Sequence, residues 1–136
     1  MIHKVKLKKI LLADDDADDR EIFERVLGNK SDVVLLRTME NGVEVLNFLK
    51  EVGNPEELPE LIILDHNMPK MNGTETLASI RKDEKFSSIK VVIYSTNSDH
   101  TLQEKCRALG ASMVAAKPSS MREYEAIIDR FLAIVN

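Results

Sequence analysis

Five short apolar runs recur along the chain, at Lys9–Ala13, Val33–Thr38, Leu61–Leu64, Val91–Ser95 and Met113–Ala116. They are near-continuously apolar rather than alternating, the pattern of strands covered on both faces in a parallel sheet. Between them the apolar positions take a helical period. Residues 18–27 carry Ile22, Phe23, Val26 and Leu27; residues 42–51 carry Val45, Leu46 and Leu49; residues 74–82 carry Leu77 and Ile80. Residues 100–109 carry Leu102, Cys106 and Leu109, and the last helical stretch puts Tyr124, Ile127, Ile128, Phe131 and Leu132 on one face. Gly28, Gly53 and Gly110 fall where these helices should stop. Strand starts near 9, 33, 61, 91 and 113 lie 22–30 residues apart, room for one strand, one helix and two short loops. Five such repeats predict an α/β fold with an open, doubly wound, five-stranded parallel sheet. In such sheets, sites form beyond the carboxyl ends of the strands.

Composition narrows the possibilities. The 136 residues suit one domain, and 43% hydrophobic with 31% charged residues is the balance of a chain that folds. No apolar run approaches the about 20 residues of a membrane span, so membrane insertion is not expected. A net charge of −4 argues against direct nucleic-acid binding. The single cysteine excludes an internal disulfide framework and fits a cytoplasmic location. Residues 1–9 hold Lys4, Lys6, Lys8 and Lys9 with no acid, and residues 1–6 read as a solvated basic leader into the first strand.

The strand ends carry the chemistry. Strand one ends in Asp14-Asp15-Asp16, strand three in Asp65-His66-Asn67, strand four in Ser95-Thr96 and strand five in Lys117-Pro118. Two carboxylates about 5 Å apart repel by about 3 kcal/mol at an effective dielectric of 20. Three together need counter-charge, and Lys117 supplies only one. A hard divalent cation with oxygen ligands meets the deficit, and Mg²⁺ is the usual choice. A hydrated Mg²⁺ beside a free carboxylate and an ammonium is a phosphoryl-transfer arrangement, in which an aspartate can be the covalent acceptor.

These residues carry a resemblance. Ile10–Asp16, the stretch from Leu61 to Gly73 with its Asp-His-Asn-Met-Pro-Lys-Met-Asn-Gly run, Val91–Thr96 and Ala116-Lys117-Pro118 resemble the response-regulator receiver domain of two-component signalling. The similarity covers about residues 7–135, and Ser95 and Lys117 stand 22 residues apart, as the family's switch hydroxyl and lysine do. The resemblance implies a flavodoxin-like (βα)5 fold with strand order 2-1-3-4-5. It implies Asp65 as phosphoacceptor, and Asp14, Asp15, Asp65 and the Asn67 backbone carbonyl as ligands of Mg²⁺. Ser95, with Thr96 as the alternative hydroxyl, and Lys117 are implied to close on the phosphoryl group. Pro118 suggests a cis Lys–Pro bond. The implied partners are a sensor histidine kinase or histidine phosphotransfer protein and a downstream protein bound by the fourth helix, fifth strand and fifth helix. With the whole chain read as one receiver domain, 1–136, no output domain is expected and the protein reads as a stand-alone regulator rather than an enzyme.

Some positions depart from the pattern. Val114 stands where the family often has a rotating aromatic, so signal is expected to leave through residues 96–103, where Thr96, Asn97 and Ser98 are small and polar. Thr96 is larger than the usual residue there, and Ser119 replaces a frequent Phe. Asp16 suits either a helix cap or a link to the metal, and Asp18 and Asp19 read as ordinary helix N-terminal charges. His3, His66 and His100 read as surface residues, Cys106 as a buried small hydrophobe, and Met68 and Met71 as loop packing. Two other readings compete. A haloacid-dehalogenase-type phosphatase wants a second aspartate where Asn67 stands. A phosphorylation-independent module of the same fold would lack the acceptor, metal or lysine residues, and all are present.

Overall fold

The computed structural model describes residues 6–97 and 99–135. Lys4 and most of the basic leader, His3 and Ser98 lie outside the described residues. Five strands and five helices alternate: β1 (Lys8–Ala13), α1 (Ala17–Gly28), β2 (Val33–Met39), α2 (Gly42–Glu51), β3 (Leu61–Asp65), α3 (Gly73–Lys82), β4 (Lys90–Ser95), α4 (His100–Ala108), β5 (Met113–Ala116) and α5 (Met121–Ala133). The sheet is parallel with order β2-β1-β3-β4-β5, the predicted flavodoxin-like topology. Two 3₁₀ turns, Pro55–Glu57 and Glu84–Phe86, lie in the connections after α2 and α3 and were not foreseen in the sequence. No helix of the described residues is long and apolar enough to cross a membrane.

Strand period two divides the core into two layers. Ile10, Leu12, Leu61, Ile63, Val92 and Tyr94 pack with α1 and α5, whereas Leu11, Ala13, Ile62, Leu64, Val91 and Ile93 pack with α2, α3 and α4. Both faces are therefore covered, which is why the three central strands read as unbroken apolar runs. Cys106 and Met68 are buried in the second layer, as expected.

Side-chain caps fix where the helices begin. Asp16 caps α1 by accepting the Asp18 and Asp19 N–H groups, and Asn41, Asp99 and Ser120 cap α2, α4 and α5. Asn72 and Glu75 form a reciprocal capping box on α3. Helix α4 stops at Ala108, one residue before the predicted end, and Gly110 follows in the left-handed region at φ 100°. One expectation fails. The Lys117–Pro118 bond is trans, as every described peptide bond is; trans is the isomer the amide itself prefers by about 0.5–1 kcal/mol.

Candidate functional site

The alternation that sorts the core also assembles the site. Continuing β1 past Ile10 and Leu12 brings Asp14 to the α1/α5 face, and continuing β3 past Leu61 and Ile63 brings Asp65 there. Ala13 pairs with Leu64 and Asp65 with Tyr94, so Asp14, Asp65 and Tyr94 stand at one level of the sheet. Lys117 lies two residues beyond Ala115, which packs on the same face. Ser95 has the opposite parity.

Oxygens of Asp14, Asp15 and Asp65 all lie within 4.8 Å of one another. Asp14 and Asp65 are buried and Asp15 is exposed, so the cluster opens to solvent on one side. Lys117 Nζ stands 3.8 Å from Asp14 Oδ2, 3.7 Å from Asp65 Oδ2 and 2.5 Å from Asp19 Oδ2. Asp14 Oδ1 accepts the Asp16 N–H at 2.9 Å, and Asp14 Oδ2 accepts the Tyr94 hydroxyl. Asp65 Oδ1 accepts the Asn67 N–H at 3.3 Å, which folds the β3–α3 loop over the acid. The Arg20 guanidinium donates to the Asp14 carbonyl at 2.7 Å, tying α1 to the end of β1.

The electrostatics follow from this crowding. Burial, and then the Asp14 charge, push the Asp65 carboxyl up to about 7. Burial also raises Asp14, against the opposing pull of its hydrogen bonds from Tyr94 and Asp16. Burial favours the neutral Lys117 amine, but the Asp19 hydrogen bond and the Asp14 and Asp65 charges outweigh it and hold the ammonium above its ordinary range. A carboxyl poised near neutrality beside two others marks a site short of positive charge. Its donors are carboxylate oxygens, with neither imidazole nor thiolate in the cluster. That chemistry fits a hard divalent cation.

The remaining expected residues arrange themselves around this cluster. Ser95 is buried at the end of β4, and its Oγ accepts the Asn97 N–H at 3.1 Å. Thr96 is exposed beside it. Asn67 is exposed in the loop after β3. His66 is half-buried rather than a surface residue, with Nδ1 3.1 Å from Thr74 Oγ1. Asp19 is not a mere helix charge: it bonds Lys117 and accepts the Tyr124 hydroxyl at 2.9 Å. Tyr94 also escaped the sequence reading. The available signal was a hydroxyl-bearing ring in an otherwise aliphatic strand, one residue before Ser95.

The chain matches the family model of the response regulator receiver domain over residues 10–129. Two-component response regulator ARR17 of Arabidopsis thaliana is 33% identical over 124 residues, covering 85% of this chain and 79% of that protein. The crystal structure of the phosphorylated cyanobacterial phytochrome response regulator RcpA matches with a TM-score of 0.79 at 27% identity, covering 96% of this chain and 97% of that one. The Mn²⁺-bound form of response regulator Rcp1 matches with a TM-score of 0.79 at 25% identity, covering 95% and 97%.

Proposed function

The chain belongs to the response regulator receiver family, and from that premise we propose that it is a receiver domain phosphorylated on Asp65. The observation that carries this reading is the position of Asp65: buried, at the carboxyl end of β3, in an oxygen cluster with Asp14 and Asp15 and 3.7 Å from Lys117. Receivers take their phosphoryl group from a histidine kinase or a histidine phosphotransfer protein, and either is the donor proposed here. An Asp65 carboxylate oxygen attacks phosphorus, an O–P bond forms, the donor's N–P bond breaks, and the imidazole leaves with the bonding pair.

Asp14, Asp15, Asp65 and the Asn67 backbone carbonyl are the proposed ligands of Mg²⁺. Bound there, the ion supplies charge neutralisation for the phosphoryl oxygens. Lys117 needs only a short displacement to hold one of those oxygens. The Ser95 hydroxyl, or Thr96 in its place, donates to another once the loop after β4 closes. Asp14 stays fixed by Tyr94 and Asp16 while this happens. The closed loop then biases the surface of α4, β5 and α5 toward a downstream protein. Val114 offers no ring to rotate in that surface, so the shift passes through backbone after Ser95. A cytoplasmic location accompanies this reading.

The test is acetyl phosphate with Mg²⁺, followed by mass spectrometry of the acid-quenched protein, and separately beryllofluoride with Mg²⁺, read as a bound ¹⁹F resonance. Labelling of wild type and none of Asp65→Asn is the expected result. Equal labelling of both moves the acceptor elsewhere, and no labelling of wild type by any donor favours the phosphorylation-independent module.

A further inference from the structure

Two tyrosines, two aspartates and one lysine close a ring beside the phosphoacceptor. Tyr94 donates to Asp14, Asp14 faces Lys117, Lys117 bonds Asp19, and Asp19 accepts the Tyr124 hydroxyl. The Phe23 ring fills the gap between the tyrosines, 5.2 Å from Tyr94 and 5.4 Å from Tyr124, edge-on to the latter. The ring spans β1, α1, β4, α5 and the segment after β5. Its tightest polar contact to Lys117 comes not from Asp65, at 3.7 Å, but from Asp19, at 2.5 Å. Both Asp19 oxygens are occupied, Oδ2 by the ammonium and Oδ1 by the phenol. The side chains of Asp19 and Lys117 are each only 16% exposed, so solvent screens this pair weakly.

From this geometry we infer that Asp19 and Tyr124 are positioning residues that hold Lys117 in a parked place, from which a phosphoryl group on Asp65 must draw it. The inference rests on Asp65 being the phosphoacceptor. Two consequences follow. The Asp19–Lys117 contact opposes phosphorylation, because it is given up when the ammonium moves to the phosphoryl oxygens. When it is given up, Asp19 loses the ammonium and the Tyr124 hydroxyl bond remains to it. The Tyr124–Asp19 bond joins α5 to α1 directly, so occupancy of the site is felt at that helix pair. This route needs no aromatic at position 114.

The chain's only two tyrosines are both in the ring, which gives a direct readout. Protein labelled with 3-fluorotyrosine shows two ¹⁹F resonances, assigned with Tyr94→Phe, and bound beryllofluoride appears in the same spectrum. On adding Mg²⁺ and beryllofluoride, the Tyr124 resonance of wild type should move. In Asp19→Asn the amide still accepts from Tyr124 but no longer holds the ammonium, so the adduct should move that resonance far less. Asp19→Asn should also bind beryllofluoride about five-fold more tightly, the upper end of the range for exposed ion pairs, as a weakly screened pair requires. Tyr124→Phe leaves the Asp19 charge wholly to Lys117 and should bind it more weakly than wild type. Opposite signs at the two positions are not the mark of general structural damage. A Tyr124 resonance that stays put while bound beryllofluoride is visible overturns the inference and leaves the phosphoacceptor reading standing. So does wild-type affinity in both variants. Absence of any bound beryllofluoride signal removes the phosphoacceptor reading and this inference with it.

Discussion

The hydroxyl of Tyr94, on β4, donates to Oδ2 of Asp14 at the end of β1, reaching past the intervening strand β3. Eighty residues separate the two in sequence, and both are fully buried. A buried carboxylate with no donor is costly, and this phenol offsets part of that cost. Tyr94→Phe keeps the ring against Phe23 and removes only the donor. It should lower stability by about 1.5–3 kcal/mol at pH 8, the range for a hydrogen bond to a charged group. The loss should shrink at pH 5, where more of the raised Asp14 carboxyl is protonated and needs no donor. Urea denaturation at the two pH values measures both, and an equal loss at each would show that Asp14 charge is not what Tyr94 serves.

Asp15 is the exposed member of the acidic cluster, so it adds charge to the site without being buried by the fold. Asp15→Asn should leave stability within about 0.5 kcal/mol of wild type. Its Mg²⁺ affinity, measured by calorimetric titration, should fall at least about ten-fold, because a full charge at ligand distance from a divalent ion is worth well over 1.4 kcal/mol. Equal affinities would remove Asp15 from the ligand set.

What could be read in advance, and what could not, divides along a physical line. Strands buried on both faces announce themselves as apolar runs, so β1, β3 and β4 were placed within a residue at either end. The carboxyl-end rule then located Asp14, Asp65, Ser95 and Lys117 without any contact being known. Asp19 and Tyr94 were missed because their roles depend on distance alone. An acid in the first turn of a helix is accounted for by the helix dipole, and nothing in its neighbours says that Lys117, 98 residues later, folds back onto it. A tyrosine inside a strand reads as core, and Tyr94 is core apart from its hydroxyl oxygen. The isomer of the Lys117–Pro118 bond was also beyond the sequence, which restricts the choice to two and decides neither.

Gly73 begins α3 directly beneath Asp65. A Cβ built on it would stand 2.9 Å from the Asp65 carbonyl oxygen and 2.9 Å from His66 Cα, both backbone atoms that cannot swing aside. Gly73→Ala should therefore displace Asp65 itself. A loss of about 1–3 kcal/mol in stability is expected, with acetyl-phosphate labelling slowed about ten- to a hundred-fold. Gly28→Ala is the matched control, since its Cβ meets nothing within 4 Å. Wild-type labelling in Gly73→Ala would mean that the loop absorbs the clash without moving the carboxylate.

The pH dependence of stability isolates the charge shortage at Asp65. Its carboxyl loses a proton at 3.8 when free and at about 7 in the fold, raised by burial first and the Asp14 charge second. Between those values the folded chain holds a proton that the unfolded chain has released. The stabilisation from that proton is fully present below about 3.8 and is lost as pH rises through about 7. Asparagine at position 65 has no such proton to lose. In metal-free buffer the stability of Asp65→Asn should therefore climb relative to wild type from pH 4 to pH 7, at no more than about 1.4 kcal/mol per pH unit, and the gap should then level off. Subtracting the two profiles cancels the carboxyl groups remote from the site, and what remains belongs to Asp65 together with Asp14, whose charge it feels. Saturating Mg²⁺ at pH 8 should narrow the gap, because the ion favours the ionised wild-type site and binding to the folded state alone adds stability. Urea midpoints across pH 4–8, with and without Mg²⁺, measure every part of this. Parallel metal-free profiles for the two proteins would mean that Asp65 is ionised throughout, and the burial and Asp14 repulsion assigned to it would then be too weak to hold its proton.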